Sequence, residues 1–341
     1  MNRTARFGIL LLFLGAAILS GCSRLVDEDL SDCGGTIRID YRLRLVTNEQ
    51  TELGKVLSGE PDIPVRNALQ TYLKGIFTDI AHDADLTFRN TGGELLEHVN
   101  EIMDQEQFSC TLYLDAGTVR HTAAANTAEN GSVSLDAETF VQHSDEDAVN
   151  PHRTGLFAGR GTFEVRPNAE QRIESDLYMV NAATALVLET AEAAGVTGIK
   201  AYVTGMADGF SLSDSTWTFM TAPMIRTDDL PVSGGTERCF ASVHFPSRDY
   251  RSGTRSITET ESPFLSDPAP EPVWAWHVYV QTADGSVTES VLSIPTPLRA
   301  GQLKILKAKV FDTGIVSVDD PLVGVSVTLD WMQGGDHNVE F

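Results

Sequence analysis

The sequence predicts an all-β protein with a minor helix, organised as two tandem antiparallel β-sandwich domains. The chain has 341 residues, a length typical of two folded units. Short apolar stretches bounded by turn residues recur along it, as they do in antiparallel sandwiches. Strands and helices do not alternate regularly, which argues against a doubly wound parallel sheet.

The clearest strand is predicted near the start of the first domain, over residues 37–45. Apolar and polar residues alternate there, as a half-buried strand requires. The polar positions include Arg38, Arg42 and Arg44. The apolar positions, which should face a core together, are Ile37, Ile39, Tyr41, Leu43 and Leu45.

Other patterns fill the remainder of this first half. Apolar residues at helical spacing predict an amphipathic helix over residues 65–81, packed on a sheet. The stretch 115–155 is rich in Ala, Asn, Ser and Asp, and it predicts long surface loops whose acidic run at 144–147 faces solvent rather than binding calcium. Strands are predicted over residues 84–98 as a hairpin, over 108–114 and over 156–165.

The second half consists of predicted strands alone. A linker at Arg166–Asn168 places the domain boundary near residue 170, so that the domains are 36–169 and 170–341. Turn residues such as Asp284–Gly285 separate the strands. The predicted strands are Leu177–Leu188, Gly198–Thr204, Trp217–Met220, Cys239–Phe245, Trp274–Gln281, Ser286–Ile294, Lys304–Phe311 and Val323–Trp331.

Residues 1–21 have the pattern of a secretory leader. Arg3 and Arg6 precede an apolar run that is too short for a typical membrane span. The leader ends in Leu19, Ser20 and Gly21, which form a bacterial lipobox before Cys22. We therefore expect a signal peptidase to recognise those three residues and Cys22 to be lipidated, with residues 22–35 as a tether. The alternative is an ordinary leader followed by a chance cysteine.

The charge balance excludes two classes of partner. The formal net charge is −23, and removing a leader with two arginines and no acid would take it from −23 to −25. Such a surface repels nucleic-acid phosphates and anionic headgroups. Membrane attachment should therefore depend on the covalent lipid at Cys22, since two or more acyl chains give stable anchoring.

Three cysteines follow Cys22. In an oxidising compartment Cys33 and Cys110 could form a disulfide, because they fall in the same predicted domain. A buried free thiol is the other outcome for each of them, and the odd number leaves one of Cys33, Cys110 and Cys239 without a partner within the chain. The sequence has no CxxC motif and no Cys/His cluster that would indicate a metal site.

The sequence offers no motif of known catalytic chemistry, such as GxSxG, HExxH or GxxxxGK[ST]. We therefore predict that the protein is not an enzyme, has no cofactor beyond its covalent lipid and takes no small-molecule substrate. His244 and His277 lie in predicted strands, as ordinary core or half-exposed histidines do. Trp274 and Trp276 are two residues apart and should share a face, either in the core or as an exposed platform for a glycan or peptide.

Several stretches together resemble one family. The lipobox cysteine is followed by Asp27–Leu30, Cys33 and Gly34–Gly35. Gly159–Arg160 within the strand at 156–165 and the ending that starts at Val323 also agree with it. The chain thereby resembles fimbrial anchor lipoproteins of the FimB type, members of the fimbrillin superfamily. The resemblance implies two tandem transthyretin-like β-sandwich domains.

The resemblance also implies a role in a type V pilus. Such a lipoprotein would lie in the outer membrane, at the cell surface, and would contact fimbrial subunits by strand addition to an open sheet edge. The strands expected to take part are the first, at Ile37, Ile39, Tyr41, Leu43 and Leu45, and the last, at Val323, Val325, Val327 and Leu329.

Two questions stay open at this point. In stalk subunits of the superfamily a trypsin-like protease removes the N-terminal strand after an arginine, whereas an anchor should keep its lipid and that strand. Arg38, Arg42 and Arg44 are the arginines at issue. The alternative function is a cell-surface lipoprotein that does not polymerise and binds glycan or host protein through an exposed aromatic face.

Overall fold

The computed structural model describes residues 36–46, 49–77, 81–102, 107–128, 130–143, 148–167, 169–234, 236–249 and 273–329. These residues form four β-sheets and two helices. The prediction of an all-β protein with minor helical content is confirmed. Cys22, the lipobox residues Leu19, Ser20 and Gly21, and Cys33 lie outside the described residues.

Sheet I holds seven strands and belongs mainly to the first half of the chain. The strands are β1 (Ile37–Val46), β2 (Asp83–Asn90), β3 (Leu95–Ile102), β4 (Gln107–Leu114), β5 (Gly117–Ala125), β8 (Phe157–Val165) and β9 (Gln171–Met179). Their order is β3-β2-β5-β8-β9-β1-β4. The sheet curls so that its two edges, β3 and β4, approach each other, and its concave face encloses a core that includes Tyr41, Leu86 and Phe157.

Sheet II has four short strands contributed by both halves of the chain. They are β6 (Val133–Asp136), β7 (Thr139–Gln142), β12 (Gly209–Ser211) and β13 (Thr216–Thr218), in the order β13-β12-β7-β6. Phe140 and Phe210 of this sheet pack with Ala124 and Ala158 on the convex face of sheet I. Sheet II therefore ties the second half of the chain to the first.

Sheets III and IV form a β-sandwich in the second half. Sheet III contains β10 (Ala182–Glu192), β15 (Asp228–Leu230), β16 (Glu237–His244), β19 (Leu303–Phe311) and β20 (Val316–Ser317), in the order β15-β16-β10-β19-β20. Sheet IV contains β11 (Val196–Thr204), β14 (Ile225–Arg226), β17 (Trp274–Thr282), β18 (Val287–Ile294) and β21 (Gly324–Leu329), in the order β14-β11-β17-β18-β21. Leu186, Trp276 and Leu306 are among the residues buried between them.

Two helices cover the outer face of sheet III. They are α1 (Glu49–Gly59) and α2 (Ile63–Lys74). The carboxylate of Asp62 caps α2 by accepting the backbone N–H of Val65 at 2.9 Å. Leu69 and Leu73 pack with Val187 on sheet III. The amphipathic helix predicted over 65–81 is thus confirmed, although it ends at Lys74 and covers the sheet of the other half.

The predicted domain boundary between residues 169 and 170 falls inside sheet I, since β9 begins at Gln171 and pairs with β1. The chain changes sheets between Met179 and Ala182, where Asn181 accepts the backbone N–H of Leu156 through its side-chain oxygen. Leu177–Leu188, predicted as one strand, is therefore two. The halves are also interlocked, because α1 and α2 cover sheet III and sheet II takes strands from both.

Two further expectations are corrected. The stretch 115–155, predicted as loops, contains β5, β6 and β7. Sheets I and III are also mixed rather than purely antiparallel, since β1 runs parallel to β9 and β10 runs parallel to β19. Gly159 on β8 shows how closely strands meet in sheet I, because a Cβ there would come within 2.6 Å of the Asp176 carbonyl oxygen.

Candidate strand-exchange site

Strand β1, the first element predicted for exchange, lies in the interior of sheet I. It pairs with β4 on one side and with β9 on the other over most of its length. Ile39, Tyr41 and Leu43 are fully or almost fully buried, and Ile37 and Leu45 pack at the ends of the same core. All five residues that were predicted to face inward therefore contact one core, and removing β1 would expose that core to solvent.

The outer face of β1 is held by ion pairs. The Arg44 guanidinium donates to both carboxylate oxygens of Asp176 on β9, at 2.7 and 2.8 Å. Asp40 accepts from Arg42 at 3.1 Å and from Arg172 at 3.3 Å. The Arg42 hydrogen bond is the largest cause of the lowered pKa of the Asp40 carboxyl group. Arg42 and Arg44 of β1 are thus engaged with carboxylates of sheet I.

Strand β21, the second predicted element, lies at the edge of sheet IV, and among the described strands it pairs only with β18. Val325 is opposite Leu292 and Val327 is opposite Ser290, so both valines point toward the sandwich interior. They are nevertheless 42% and 38% exposed. Val323 precedes the strand and packs partly against the same core, and the backbone of Leu329 pairs with Thr288. The exposed valines indicate that the opposite sheet does not cover this edge.

The other edge strands of the described sheets are protected in the ways that proteins use against unwanted pairing. Strands β13, β14, β15 and β20 have three residues or fewer, and β6 has four. Strand β3 carries Glu97 and Glu101 on its core-side face. Strand β4 is long, but the curl of sheet I turns it toward β3. Strand β21 differs from them, with six residues, no charge and no proline.

Cys110 lies on β4, and within the described residues neither it nor Cys239 forms a disulfide. Burial raises the pKa of the Cys110 thiol to about 12, and Glu101 of β3 adds to this effect. Because Cys33 lies outside the described residues, pairing of Cys33 with Cys110 stays a prediction.

Trp274 and Trp276 do not form an exposed platform. Their exposed fractions are 2% and 0%, and both pack in the sandwich core. The Trp274 indole N–H donates to the Thr296 carbonyl oxygen at 2.8 Å. The alternative function through an exposed aromatic face therefore loses the two residues on which it was based.

The histidines singled out in the sequence are satisfied structural residues. His277 contacts Glu289 at 3.0 Å and Thr204 at 3.1 Å. His244 contacts Thr184 at 3.1 Å and the Phe245 carbonyl oxygen at 2.7 Å. Within the described residues, no group of three or more His, Cys, Asp and Glu side chains is placed to hold a metal ion. No helix of this part of the chain has both the length and the apolar character needed to cross a membrane.

Sequence reasoning missed a third feature, the open edge of β19. In the part of the chain that the structure describes, this strand pairs with β10 along its length but with β20 only at Lys309 and Val310. Because β19 has an ordinary buried-strand pattern, its own residues give no signal of a missing neighbour. The signal lies in the shortness of β20.

Comparison with known proteins gives structural neighbours only. No family model matches the sequence, and no curated protein matches it. A candidate adhesin from Bacteroides ovatus is 12% identical, with 84% of this chain and 93% of that chain covered and a TM-score of 0.49. The fimbrial anchor protein Mfa2 from Porphyromonas gingivalis is 7% identical, with 86% and 99% covered and a TM-score of 0.45. A fimbrial assembly protein from Parabacteroides distasonis is 10% identical, with 86% and 99% covered and a TM-score of 0.43.

Proposed function

We propose that this protein is an outer-membrane lipoprotein, lipidated at Cys22, that anchors or helps to assemble a fimbria at the cell surface. The leader with Leu19, Ser20 and Gly21 before Cys22 supports the lipid anchor. Fimbrial subunits are the proposed partners, and strand addition is the proposed mode of contact. The observation that carries this proposal is the unprotected edge strand β21.

Strand β21 has the properties of an element that can change partners. One edge of its backbone has no neighbour among the described residues, its side chains bear no charge, and its two core-facing valines are only partly covered. Detaching it would cost less apolar burial than detaching β1, whose Ile39, Tyr41 and Leu43 are fully or almost fully buried. Backbone hydrogen bonds would give affinity for a neighbouring subunit, and pockets for alternate side chains would give specificity.

Strand β1 has the opposite properties, and we propose that it stays in place. A protease that cuts after Arg38, Arg42 or Arg44 needs the chain in an extended, unpaired form. Here those residues belong to a strand hydrogen-bonded on both sides, with Tyr41 fully buried between them. The protein should therefore keep its lipid and its first strand, which favours an anchor over a stalk or tip subunit.

The test is intact-mass and N-terminal analysis of the protein recovered from membranes, before and after a trypsin-like protease acts on the native form. The account predicts an acylated Cys22 in both samples. A Cys22→Ala variant is the control, and it should no longer fractionate with membranes. A shorter chain that begins after Arg38, Arg42 or Arg44 would contradict the anchor function, and an unmodified Cys22 would contradict the lipid anchor itself.

A second experiment addresses β21. A chain that ends at Val323 lacks the strand, whereas a chain that ends at Leu329 keeps it, so the two form a matched pair. Both should remain folded, and only the longer one should capture fimbrial subunits from a solution of them. Equal capture by both would show that β21 takes no part.

A further inference from the structure

A buried histidine lies where sheet II meets sheet III. His152 is 0% exposed. Its backbone N–H donates to the Val243 carbonyl oxygen on β16 at 2.8 Å, and its ring meets the Phe245 ring edge-on at 4.6 Å. Phe245 in turn packs with Phe140 of sheet II. His152 thus lies at the contact between sheet II and the end of β16.

Both ring nitrogens of His152 contact side chains whose orientation is fixed by a further hydrogen bond. Nε2 lies 3.0 Å from Oε1 of Gln142 on β7, and the Gln142 amide nitrogen donates to the Asn150 carbonyl oxygen at 3.3 Å. Nδ1 lies 2.7 Å from Nδ2 of Asn181, and Oδ1 of Asn181 accepts the backbone N–H of Leu156. An amide nitrogen only donates and an amide oxygen only accepts. The network therefore assigns a proton to Nε2 and none to Nδ1, so the ring is neutral.

The His152 junction, made of His152, Gln142, Asn181 and the Leu156 N–H, cannot hold a second proton on the ring. A proton on Nδ1 would face the NH2 group of Asn181, so two donors would meet at 2.7 Å. Rotating the Asn181 amide would turn its NH2 group toward the Leu156 N–H and bring two donors together there instead. A buried polar group without a partner is costly, and a buried charge is more so. Protonation of His152 therefore favours a state in which the junction is open to water.

The titratable groups around the junction give a charged ring no support. Burial lowers the pKa of His152 to about 3, and His244 on β16 adds to this effect. None of the described carboxylates makes an ion pair or a hydrogen bond with the ring, whose two partners are the amides of Gln142 and Asn181. Three ionisable side chains next to the junction are exposed or bonded elsewhere: His143 is exposed, Arg153 pairs with Asp228, and Asp208 accepts from the backbone of Met220 and Thr221.

Sheet II also contains most of the strained backbone of the described chain. Five described residues other than glycine have a positive φ, and four of them lie in or beside this sheet. Ala137 and Glu138, at 43° and 66°, form the turn between β6 and β7, Ser215 at 59° lies between β12 and β13, and Ala222 at 46° follows β13. This conformation is unfavourable for residues with a Cβ. Strained turns and strands of only three or four residues both lower the cost of opening sheet II.

We propose that sheet II is a pH-sensitive switch, which detaches from sheets I and III when His152 binds a proton while those two sheets stay folded. Because sheet II takes strands from both halves of the chain, its opening would loosen the link between the halves. Opening should begin at a higher pH than unfolding of the whole chain, since it breaks fewer contacts. The switch does not depend on a fimbrial function.

The experiment is hydrogen exchange of the mature chain at pH 7 and pH 5, followed by mass spectrometry and corrected for the intrinsic pH dependence of amide exchange. The His152 pKa is 6.5 when the ring is solvated and about 3 when it is buried, so the opening constant of residues 133–142 should rise about 25-fold between these pH values. His152→Gln keeps a donor and an acceptor in an uncharged side chain and should abolish the rise. His121→Gln is the matched control, because it replaces a buried histidine of sheet I, and it should keep the rise. Circular dichroism checks that the variants fold.

Asn181→Asp is a second variant that keeps the histidine, and it decides the outcome if His152→Gln does not fold. A carboxylate only accepts, so it could take both the Leu156 N–H and a protonated Nδ1 of His152. Sheet II of this variant should open no more readily at pH 5 than at pH 7. A rise as large as that of the parent, in either Asn181→Asp or His152→Gln, would overturn the proposal. Amides of sheet II that open only together with those of β10 at both pH values would also overturn it, because the sheet would then open only with the whole fold.

Discussion

Replacing Tyr41 with alanine is expected to destabilise the protein by about 3–5 kcal/mol, the range for deleting a fully buried aromatic ring. Tyr41 is 0% exposed at the centre of β1. Its ring meets those of Phe88 at 5.1 Å and His121 at 5.4 Å in edge-on geometry. Since a typical domain is stable by about 5–15 kcal/mol in total, this loss should remove much of the folded population. Denaturant unfolding followed by circular dichroism measures it.

Tyr113→Ala on the neighbouring strand β4 is the matched control. It deletes the same ring from the same sheet, but Tyr113 is 59% exposed. Its effect should be within about 0.5 kcal/mol of zero, as for other surface substitutions. Similar losses in the two variants would mean that β1 is not the buried centre of sheet I, and burial would then not hold β1 in place.

Acidification is expected to unfold the protein steeply, because three histidines are buried in their neutral form. Burial lowers the pKa of His121 to about 4. It lowers the pKa of His244 to about 4 as well, against the opposing hydrogen bond to the Phe245 carbonyl oxygen. Burial, with His244 nearby as a second cause, lowers the pKa of His152 to about 3. All three start from the ordinary value of 6.5.

The direction of this pH dependence follows from how many protons the folded and unfolded chains bind. Below pH 6.5 the unfolded chain takes up a proton at each of these histidines, whereas the folded chain does not until the pH reaches about 4 for His121 and His244 and about 3 for His152. Stability is therefore retained above pH 6.5 and lost as the pH falls through this window. Each histidine contributes a slope of about 1.4 kcal/mol per pH unit within it.

The check is the free energy of unfolding measured at several pH values between 7 and 4. A His121→Gln variant should be less steep than the parent by the slope of one histidine, because it removes one of the three titrating groups. The control is His143→Gln, whose side chain is exposed, and which should keep the slope of the parent. A free energy that does not fall in this window would contradict the burial of the three histidines.

Where one face of a strand is buried and the other is solvated, the sequence is enough to predict it. The alternation at residues 37–45 predicts β1 almost to its ends, and the apolar spacing after Asp62 predicts α2 with its buried Val65, Leu69 and Leu73. The same local signals predict the hairpin of β2 and β3. In each case the pattern depends on neighbours a few residues away.

Strand β5 was missed because its pattern is not alternating. Its Ala123, Ala124 and Ala125 are all buried, since sheet I packs inward on one face and against sheet II on the other. Small residues that are buried on both faces resemble a loop composition. The parallel pairing of β1 with β9 and the packing of α2 on sheet III depend on contacts far apart in sequence, which periodicity does not encode.

The two parts of the candidate site, β21 and the open edge of β19, differ in how far the sequence predicts them. The stretch Val323–Leu329 could be predicted as a strand from its apolar alternation, and its part in strand exchange stays a prediction from the resemblance. Its position at an unprotected edge comes from the topology. The open edge of β19 exists because β20 ends after Ser317. The sequence of β19 itself does not indicate how long its neighbour is.

Hydrogen exchange of the mature protein, followed by mass spectrometry, compares the two strands directly. We propose that β21 is the exchangeable strand and β1 is the fixed one. We predict that amides of β21 exchange through local opening, far faster than those of β1, which should exchange only when the whole fold opens. Equal protection of the two strands, or faster exchange in β1 than in β21, would contradict the account.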